Sequence, residues 1–168
     1  MSFVIEMVKK EDVLSMWPKI EHHVDNLQKR SYGRYVTADI FDQIVEQPCF
    51  LWVVKEDENI IAFFICSISY YPRKTYLDLN TLSGLRVNEW GDQALDVLNE
   101  FGKELNVDGL ETNTAIAFEK TWKKRGFKKE FVTMTRDISY QDQKESKEAV
   151  DLFEFDSGDM LKEVANGS

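Results

Sequence analysis

The stretch GLRVNEWGDQALDVL, residues 84–98, has the features of an anion-binding turn. A glycine-containing turn that leads into an apolar-periodic helix directs backbone N–H groups and the positive end of the helix dipole at one point, which suits a phosphate. Two carboxylates, Glu89 and Asp92, stand in the first helical turn, where such an anion would dock. Acidic residues at this position satisfy the helix dipole themselves. We therefore predict that the turn supplies its own anion, and a phosphate site is the alternative.

Carboxylates and phenols on predicted strands are the other candidates for chemistry. Asp78 and Glu111 could each accept a proton as a general base. A proton donor could come from Tyr70, Tyr71 or Tyr76. The residues alone favour an ordinary position on the surface of a strand for each carboxylate, and a role as general base is the alternative.

Two groups of basic residues predict surface features. His22 and His23 are neighbours on a predicted helix, so their side chains point about 100° apart and cannot chelate one metal ion from one face. We expect both histidines on the surface and predict no metal site. The basic run from Lys123 to Arg125 predicts a solvated helix end, where cations suit the carboxyl end of the dipole. Contact with a phosphate or an acidic partner is the alternative for this run.

Composition and charge limit the classes of function. The chain has 168 residues, of which 43% are hydrophobic, so we expect a globular core. The net charge of −9 argues against a nucleic-acid-binding surface and against docking on anionic lipid. Cys49 and Cys66 have apolar neighbours and are expected to be buried thiols in a reducing compartment. The N-terminus lacks a signal-peptide pattern and no apolar run could span a bilayer, so we expect a cytoplasmic protein.

Hydrophobic periodicity predicts an α/β protein of the α+β type, with the element order β-α-α-β-β-β-α-β-α-β. The first helix has an apolar stripe with four-three spacing: Val13, Trp17, Ile20, Val24 and Leu27. Pro18 lies inside this pattern, which predicts a kink or a helix start near Trp17. Thr37 is the predicted N-cap of the second helix. The alternating stretch FKKEFVTMTRDI, residues 127–138, predicts the last strand.

This order of elements resembles the GNAT-type N-acyltransferases over residues 3–138. Two local features carry the resemblance. One is the strand, glycine-containing turn and helix at residues 77–105; the other is AFEKTWKKRGFKKEF, which is similar to the helix–glycine–phenylalanine–strand ending of the family. The resemblance implies a mixed, mostly antiparallel sheet flanked by helices. It also implies that the sheet splits between its fourth and fifth strands, with acetyl-coenzyme A in the split.

The resemblance implies four cofactor-binding positions: Leu82, Gly84, Arg86 and Gly91. In the family the turn reads Arg/Gln-x-x-Gly-x-Gly/Ala, and the matching register here begins at Arg86 and ends at Gly91. Glu89 replaces the middle glycine, and the bulky Trp90 follows it. A carboxylate about 4 Å from a phosphate oxygen costs on the order of 1 kcal/mol in water and several in a partly dried cleft. We therefore expect Glu89 and Trp90 to occupy the space that a diphosphate needs, and no cofactor to bind.

The catalytic acid of the family is also replaced. Many members place a tyrosine four residues before the glycine of the terminal Gly-Phe pair, where it protonates the departing thiolate. The matching residue here is Trp122, whose indole N–H cannot supply that proton. If the chain is active, the residues expected to act near the split are Glu111, Asp78 and Tyr76.

From Ser139 onward the chain becomes an acidic tail, with eight acidic residues and three basic ones. We assign residues 1–138 to the GNAT-like domain and residues 139–168 to this tail. The apolar residues of the tail are predicted to anchor it on a protein partner or on its own domain: Phe153, Phe155, Met160 and Leu161.

Short stretches also look like small GNAT-like proteins encoded by short-tailed marine bacteriophages: GRY (33–35), LWVV (51–54), YPRKTYL (71–77), DGLE (108–111) and WKKRGFKKEF (122–131). This resemblance implies a protein of the host cytoplasm that is incorporated in the phage particle. With the replaced turn and acid, it predicts a degenerate GNAT-fold module with a structural or interaction role and virion proteins as partners. The alternative is an active acetyl-coenzyme A-dependent N-acetyltransferase with a modified diphosphate turn.

Overall fold

A computed structural model describes residues 2–139 of the chain. Its contacts divide these residues into a unit of residues 2–128 and a segment of residues 129–139. The elements of the first unit are β1 (Phe3–Val8), α1 (Val13–Gln28), α2 (Thr37–Glu46), β2 (Cys49–Glu56), β3 (Asn59–Tyr71), β4 (Lys74–Gly84), α3 (Val87–Glu104), β5 (Gly109–Glu111) and α4 (Glu119–Lys123). Short 3-10 turns, Lys10–Asp12 and Ile116–Phe118, precede α1 and α4.

The five strands form one sheet in sequence order, from β1 to β5. The first four strands pair antiparallel with their neighbours, and β4 pairs parallel with β5. This confirms the predicted mixed, mostly antiparallel sheet flanked by helices. The parallel pair is possible because α3 connects β4 to β5 and returns the chain to the same end of the sheet.

The two faces of the sheet have separate apolar cores. On one face, alternate residues of β2 and β3 pack against α1 and α2, which contribute residues including Ile20, Val24 and Ile44. On the other face, the intervening residues of β2 and β3 pack against α3, which contributes Trp90, Ala94 and Leu98. Because β2 is covered on both faces, its sequence is almost wholly apolar, as the pattern predicts. Cys49 and Cys66 are buried free thiols within these cores.

The structure decides two predictions about helix starts. α1 begins at Val13 and continues through Pro18, so of the two alternatives predicted for this proline the start near Trp17 is wrong. Proline removes one helical hydrogen bond, and the burial of Ile20 and Val24 outweighs that loss. Thr37 is the first residue of α2 and not its cap, because the N–H of Val36 donates to Asp39 Oδ2 at 2.8 Å at this terminus.

The last predicted strand, residues 127–138, is absent from the described structure, since no residue from Phe127 to Ser139 lies in a strand. Alternation predicts which way side chains would point, but a strand also needs a hydrogen-bonded partner that no local pattern supplies. The helix before it ends as predicted. Gly126 has a φ of 86°, and the N–H of Phe127 donates to the carbonyl of Trp122 at 3.2 Å.

The ammonium group of Lys10 binds the carboxyl end of α2. Its Nζ donates to the carbonyl oxygens of Ile44, Val45 and Gln47 at 2.6, 3.2 and 2.8 Å. We predict that Lys10→Met lowers the free energy of unfolding by about 1–2 kcal/mol, because these carbonyls lose a charged donor that also suits the helix dipole. Urea denaturation measures this, with Lys9→Met as the control at less than about 0.5 kcal/mol. Equal losses in the two variants would contradict the prediction.

His23 is buried, with 5% of its surface exposed, so the prediction of two surface histidines is wrong for this residue. It extends the apolar face of α1 beside Val24, and its Nε2 lies 3.5 Å from the carbonyl oxygen of Ile60. Burial lowers the pKa of His23 below its usual value, and the neighbouring His22 acts in the same direction.

The lowered pKa of His23 predicts a loss of stability in mild acid. Near pH 6.5 and below, His23 binds a proton in the unfolded chain but not in the native state. The free energy of unfolding therefore falls as the pH falls. His23→Gln should remove this part of the pH dependence, and His22→Gln is the control. Urea unfolding at about pH 7.5 and about pH 5 measures the difference from wild type. Parallel profiles for wild type and His23→Gln would contradict the prediction.

Candidate active site

The fourth and fifth strands separate after a short parallel ladder. The ladder joins Tyr76 to Gly109 and ends where Asp78 pairs with Glu111. β4 then continues to Gly84, while the chain beyond Glu111 leaves the sheet. One hydrogen bond crosses the start of the gap, from Thr112 Oγ1 to the carbonyl oxygen of Leu79 at 2.8 Å. A split between the fourth and fifth strands is therefore present at this end of the sheet.

A β-bulge lies in β4 at the same level. Cys66 of β3 pairs with Leu79 and Ile65 pairs with Thr81, so Asn80 is an extra residue without a partner in the ladder. Its Nδ2 donates to Ser67 Oγ at 2.8 Å. Its Oδ1 is buried and accepts no hydrogen bond from residues 2–139. The bulge therefore holds a buried acceptor that none of residues 2–139 satisfies.

Asp78, Glu111 and Tyr71 form a cluster where the strands part. The Tyr71 hydroxyl lies 3.2 and 3.1 Å from the two carboxylate oxygens of Glu111, to which it donates. The ring of Tyr76 packs edge-on against Tyr71, with centroids 5.9 Å apart. The structure thus brings together the two carboxylates that the sequence singled out and two of its three candidate tyrosines. The side chain of Tyr70 is exposed and forms no hydrogen bond with this cluster among the described residues.

Asp78 has the properties of a general base. Burial, and then the neighbouring carboxylate of Glu111, raise its pKa to about 6. Its Oδ1 is buried and accepts no hydrogen bond within the described part of the chain. The hydrogen bond to Glu111 raises the pKa of Tyr71, so this phenol stays protonated and remains a donor. At neutral pH the cluster holds a basic carboxylate beside a fixed second carboxylate, which suits a cationic amine.

The turn between β4 and α3 is shaped by close packing on β3. Gly84 has a φ of 151°, and a Cβ placed there would lie 2.2 Å from Ala62 Cβ and 2.6 Å from the carbonyl oxygen of Ile61. The glycine is therefore required for packing, whatever the turn binds. Leu82, the preceding candidate, packs partly buried on the core beneath α3.

Arg86 stands at the amino terminus of α3 with a left-handed backbone, at φ 55°. Its guanidinium contacts Glu56 Oε1 at 2.6 Å and lies 3.5 Å from Glu89 Oε1. The amides of Val87 and Asn88, the first two of α3, donate no hydrogen bond to any of residues 2–139. Two N–H groups and one guanidinium therefore surround the start of this helix.

Glu89 and Trp90 lie differently from what the sequence suggests: Glu89 is partly exposed at the first turn of α3, and Trp90 lines the crevice beneath the helix. The Glu89 side chain is 54% exposed and turns toward Arg86, which neutralises it. Trp90 is fully buried beneath the helix, where its ring stacks on Phe64 and its Nε1 donates to the carbonyl oxygen of Leu85 at 2.7 Å. Helical geometry explains the difference, because adjacent residues point about 100° apart and only one of them can face the core.

Residues of α4 and of the segment that follows it close the groove between β4 and α3. The remaining crevice has a volume of about 10 Å³, enough for about one water molecule. Trp122 lines it, half-buried, with its Nε1 donating to Thr114 Oγ1 at 3.0 Å. The guanidinium of Arg125 covers Gly91, since a Cβ on this glycine would lie 3.1 Å from the Arg125 Nη2 atom.

The prediction of a solvated basic run is wrong for Arg125. Only 10% of its side chain is exposed, and its Nε lies 2.7 Å from Asp92 Oδ1. The run of basic residues in the sequence does not indicate that Arg125 is buried, because the burial of this side chain depends on how α4 packs against α3. For Asn80 a signal does exist: the spacing of Leu77, Leu79 and Leu82 slips from two to three, and asparagine is rare inside strands.

Within residues 2–139 no group of three or more His, Cys, Asp or Glu side chains could hold a metal ion. No helix of the same range is long and apolar enough to cross a membrane. The predicted tail anchors lie outside the described residues: Phe153, Phe155, Met160 and Leu161.

The sheet order, the β4–β5 split and the helix that follows the glycine-containing turn define the GNAT fold. Several similar solved structures are acetyltransferases. They include a possible acetyltransferase from Clostridium difficile 630 (TM-score 0.61, 11% identity, 82% of this chain and 97% of that one) and glucosamine-6-phosphate N-acetyltransferase from Arabidopsis thaliana (0.59, 14%, 82% and 99%). A third is an aminoglycoside acetyltransferase from an uncultured soil metagenomic sample in complex with sisomicin (0.58, 11%, 81% and 96%). At these identities the likeness extends to the fold alone. No family model and no curated protein sequence matches the chain.

Acetyl-coenzyme A is the cofactor that this fold implies. The groups at the start of α3 and on Arg125 are hydrogen-bond donors, as a diphosphate needs. They are two amides without an acceptor among residues 2–139 and the guanidiniums of Arg86 and Arg125. The crevice is lined by apolar side chains, including Leu79, Leu82 and Trp122, which suit the extended arm of the cofactor. A volume of about 10 Å³ is too small for the diphosphate or for this arm, so binding requires Arg125 and Trp122 to move.

Proposed function

We propose that this chain is a GNAT-type N-acyltransferase that acts on a cationic amine. One observation carries the proposal: the Asp78 carboxylate stands beside Glu111 where β4 and β5 part, and its pKa is about 6. A base with a pKa near the working pH combines the correct protonation state with useful basicity. The GNAT fold of the acetyltransferases with similar structures supports the same reaction class.

The catalytic cluster would bind the amine and remove its proton. Glu111, held by the Tyr71 hydroxyl, attracts the ammonium form to the split. Asp78 then accepts the proton that the amine loses as it becomes a nucleophile. The unsatisfied Oδ1 of Asn80 offers the amine a further acceptor. A bound coenzyme A thioester would supply the activated acyl group.

The charges of the cluster favour an acceptor with more than one positive charge. Asp78 and Glu111 are adjacent, and no Lys or Arg among the described residues forms an ion pair with either of them. Removal of one proton from a polyamine or an aminoglycoside leaves a second cation that can stay beside Glu111. The acceptor class is thus a polycationic amine.

Thiol release from acetyl-coenzyme A, followed with mono- and polycationic primary amines, tests the proposal. We expect amine-dependent release that is faster with polycationic acceptors, and an acetylated product in the mass spectrum. The matched control is the Asp78→Asn variant. Release that does not depend on any amine, or an identical rate for the variant, would contradict the proposal.

A second candidate is a non-catalytic binding module, which the closed crevice of about 10 Å³ favours. The predicted virion-associated role and protein partners belong to this candidate. It expects no binding of coenzyme A in calorimetry, and loss of partner association when residues 139–168 are removed. Micromolar affinity for coenzyme A would count against it.

A further inference from the structure

The Arg125 side chain reaches from the segment after α4 to the second turn of α3. Its guanidinium packs on Gly91, where a Cβ would lie 3.1–3.3 Å from three guanidinium atoms and would displace them by a few tenths of an ångström. One tenth of the side chain is exposed. A buried cation therefore stands about one turn from the positive end of the α3 dipole, and burial of a cation is unfavourable without an anion.

The hydrogen bonds of this guanidinium are incomplete. Its Nη1 donates to the carbonyl oxygen of Thr121 at 3.1 Å. Asp92 Oδ1 is 2.7 Å from Nε, but it lies off the N–H direction, so the buried Nε–H donates to no acceptor among residues 2–139. Asp92 itself is 78% exposed and can release Arg125 into contact with another anion at little cost.

The donors on Arg125 and at the start of α3 are of one kind. They are the planar fork of Arg125, the guanidinium of Arg86, which already pairs with Glu56 and Glu89, and the two amides at the start of α3 that lack acceptors within the described chain. A group with several acceptor oxygens in a compact arrangement, such as a phosphate or diphosphate, suits donors of this kind.

We propose that Asp92 is an internal competitor for the anionic ligand of this site, and that Arg125 is the residue for which they compete. In the free protein Asp92 holds Arg125 across Gly91 and closes the crevice. A diphosphate takes over Arg125, and the guanidinium leaves Gly91. This inference rests on the proposed function, because it takes coenzyme A as the ligand that carries the diphosphate.

Calorimetry of the full chain with coenzyme A, and separately with inorganic diphosphate, tests the competition. Asp92→Asn should bind both probes about three- to tenfold more tightly, because it removes the competing charge. Arg125→Gln should bind them about tenfold or more weakly. Two variants with the same charge changes are the controls: Asp96→Asn, one turn further along α3, and Lys124→Gln, next to Arg125. Both controls should stay within about twofold of wild type.

Asp92→Asn is the decisive variant. The Asp92 side chain is exposed, so we expect this variant to fold, whereas a substitution of the buried Arg125 can unfold α4. Thermal unfolding of each variant verifies this. The inference is overturned if Asp92→Asn binds like Asp96→Asn, or if neither wild type nor Asp92→Asn binds either probe at millimolar concentration. Binding with the expected order but without acetyl transfer to any amine would support this inference and overturn the proposed function alone.

Discussion

Asp78→Asn should lower the rate of acetyl transfer by about 10²- to 10⁴-fold, the usual contribution of a positioned general base. The side chain keeps its size but loses the ability to accept a proton. The wild-type kcat/KM should rise with pH through an inflection near 6, where the Asp78 carboxyl ionises. That inflection should be missing from the residual rate of the variant. Steady-state rates between about pH 5 and about pH 8 measure both effects.

The stability of the Asp78→Asn variant separates this role from a structural one. The folded-state pKa of about 6 lies above the ordinary value of 3.8, so the native state holds a proton that the unfolded chain releases between these values. Ionised Asp78 therefore costs stability above about pH 6. We expect the variant to gain about 1 kcal/mol at pH 8, after allowance for solvent screening, and nothing near pH 4.

Asp96→Asn on the outer face of α3 is the matched control and should change neither rate nor stability. Coenzyme A affinity should also be unchanged in Asp78→Asn, since the carboxylate stands at the other end of the split from the α3 terminus. An unaltered rate in Asp78→Asn would show that the carboxylate is an ordinary strand residue.

Trp90→Ala should lower the free energy of unfolding by about 3–5 kcal/mol. The indole is fully buried, stacks on Phe64, and donates to the carbonyl oxygen of Leu85, so its removal leaves a cavity and an unpaired carbonyl. This is a large part of the total stability of an ordinary domain. Urea denaturation followed by circular dichroism measures the loss.

Trp90→Phe is the matched variant for this prediction. It keeps an aromatic ring on Phe64 but removes the Nε1 donor and part of the volume, so we expect a loss of about 1–2 kcal/mol. If Trp90 blocked the cofactor space, as the sequence suggested, Trp90→Ala would remain folded and would bind coenzyme A more tightly than wild type. That result would contradict the placement of Trp90 in the core.

Sequence patterns correctly predicted the structural features that depend on a single strand, helix or turn. The apolar run of β2, the buried stripe of α3 and the glycine end of the α4 segment follow from side-chain period and backbone preference alone. The slip in leucine spacing at Asn80 also carried a signal for the bulge. The predicted last strand was wrong because strand formation depends on a partner elsewhere in the chain.

The amino-acid sequence by itself determined the order of the elements from β1 to α4, the two-faced sheet and the glycine-containing turn before α3, because these depend on neighbours within a few residues. Only the tertiary structure decided that Asp78 meets Glu111 and Tyr71, that Trp90 faces the core while Glu89 faces Arg86, and that Arg125 is buried over Gly91. Most of these contacts join residues from different elements, and the pKa shift of Asp78 arises from burial and from the neighbouring carboxylate of Glu111. Strand register and helix packing set both, and neither has a local signature in the sequence.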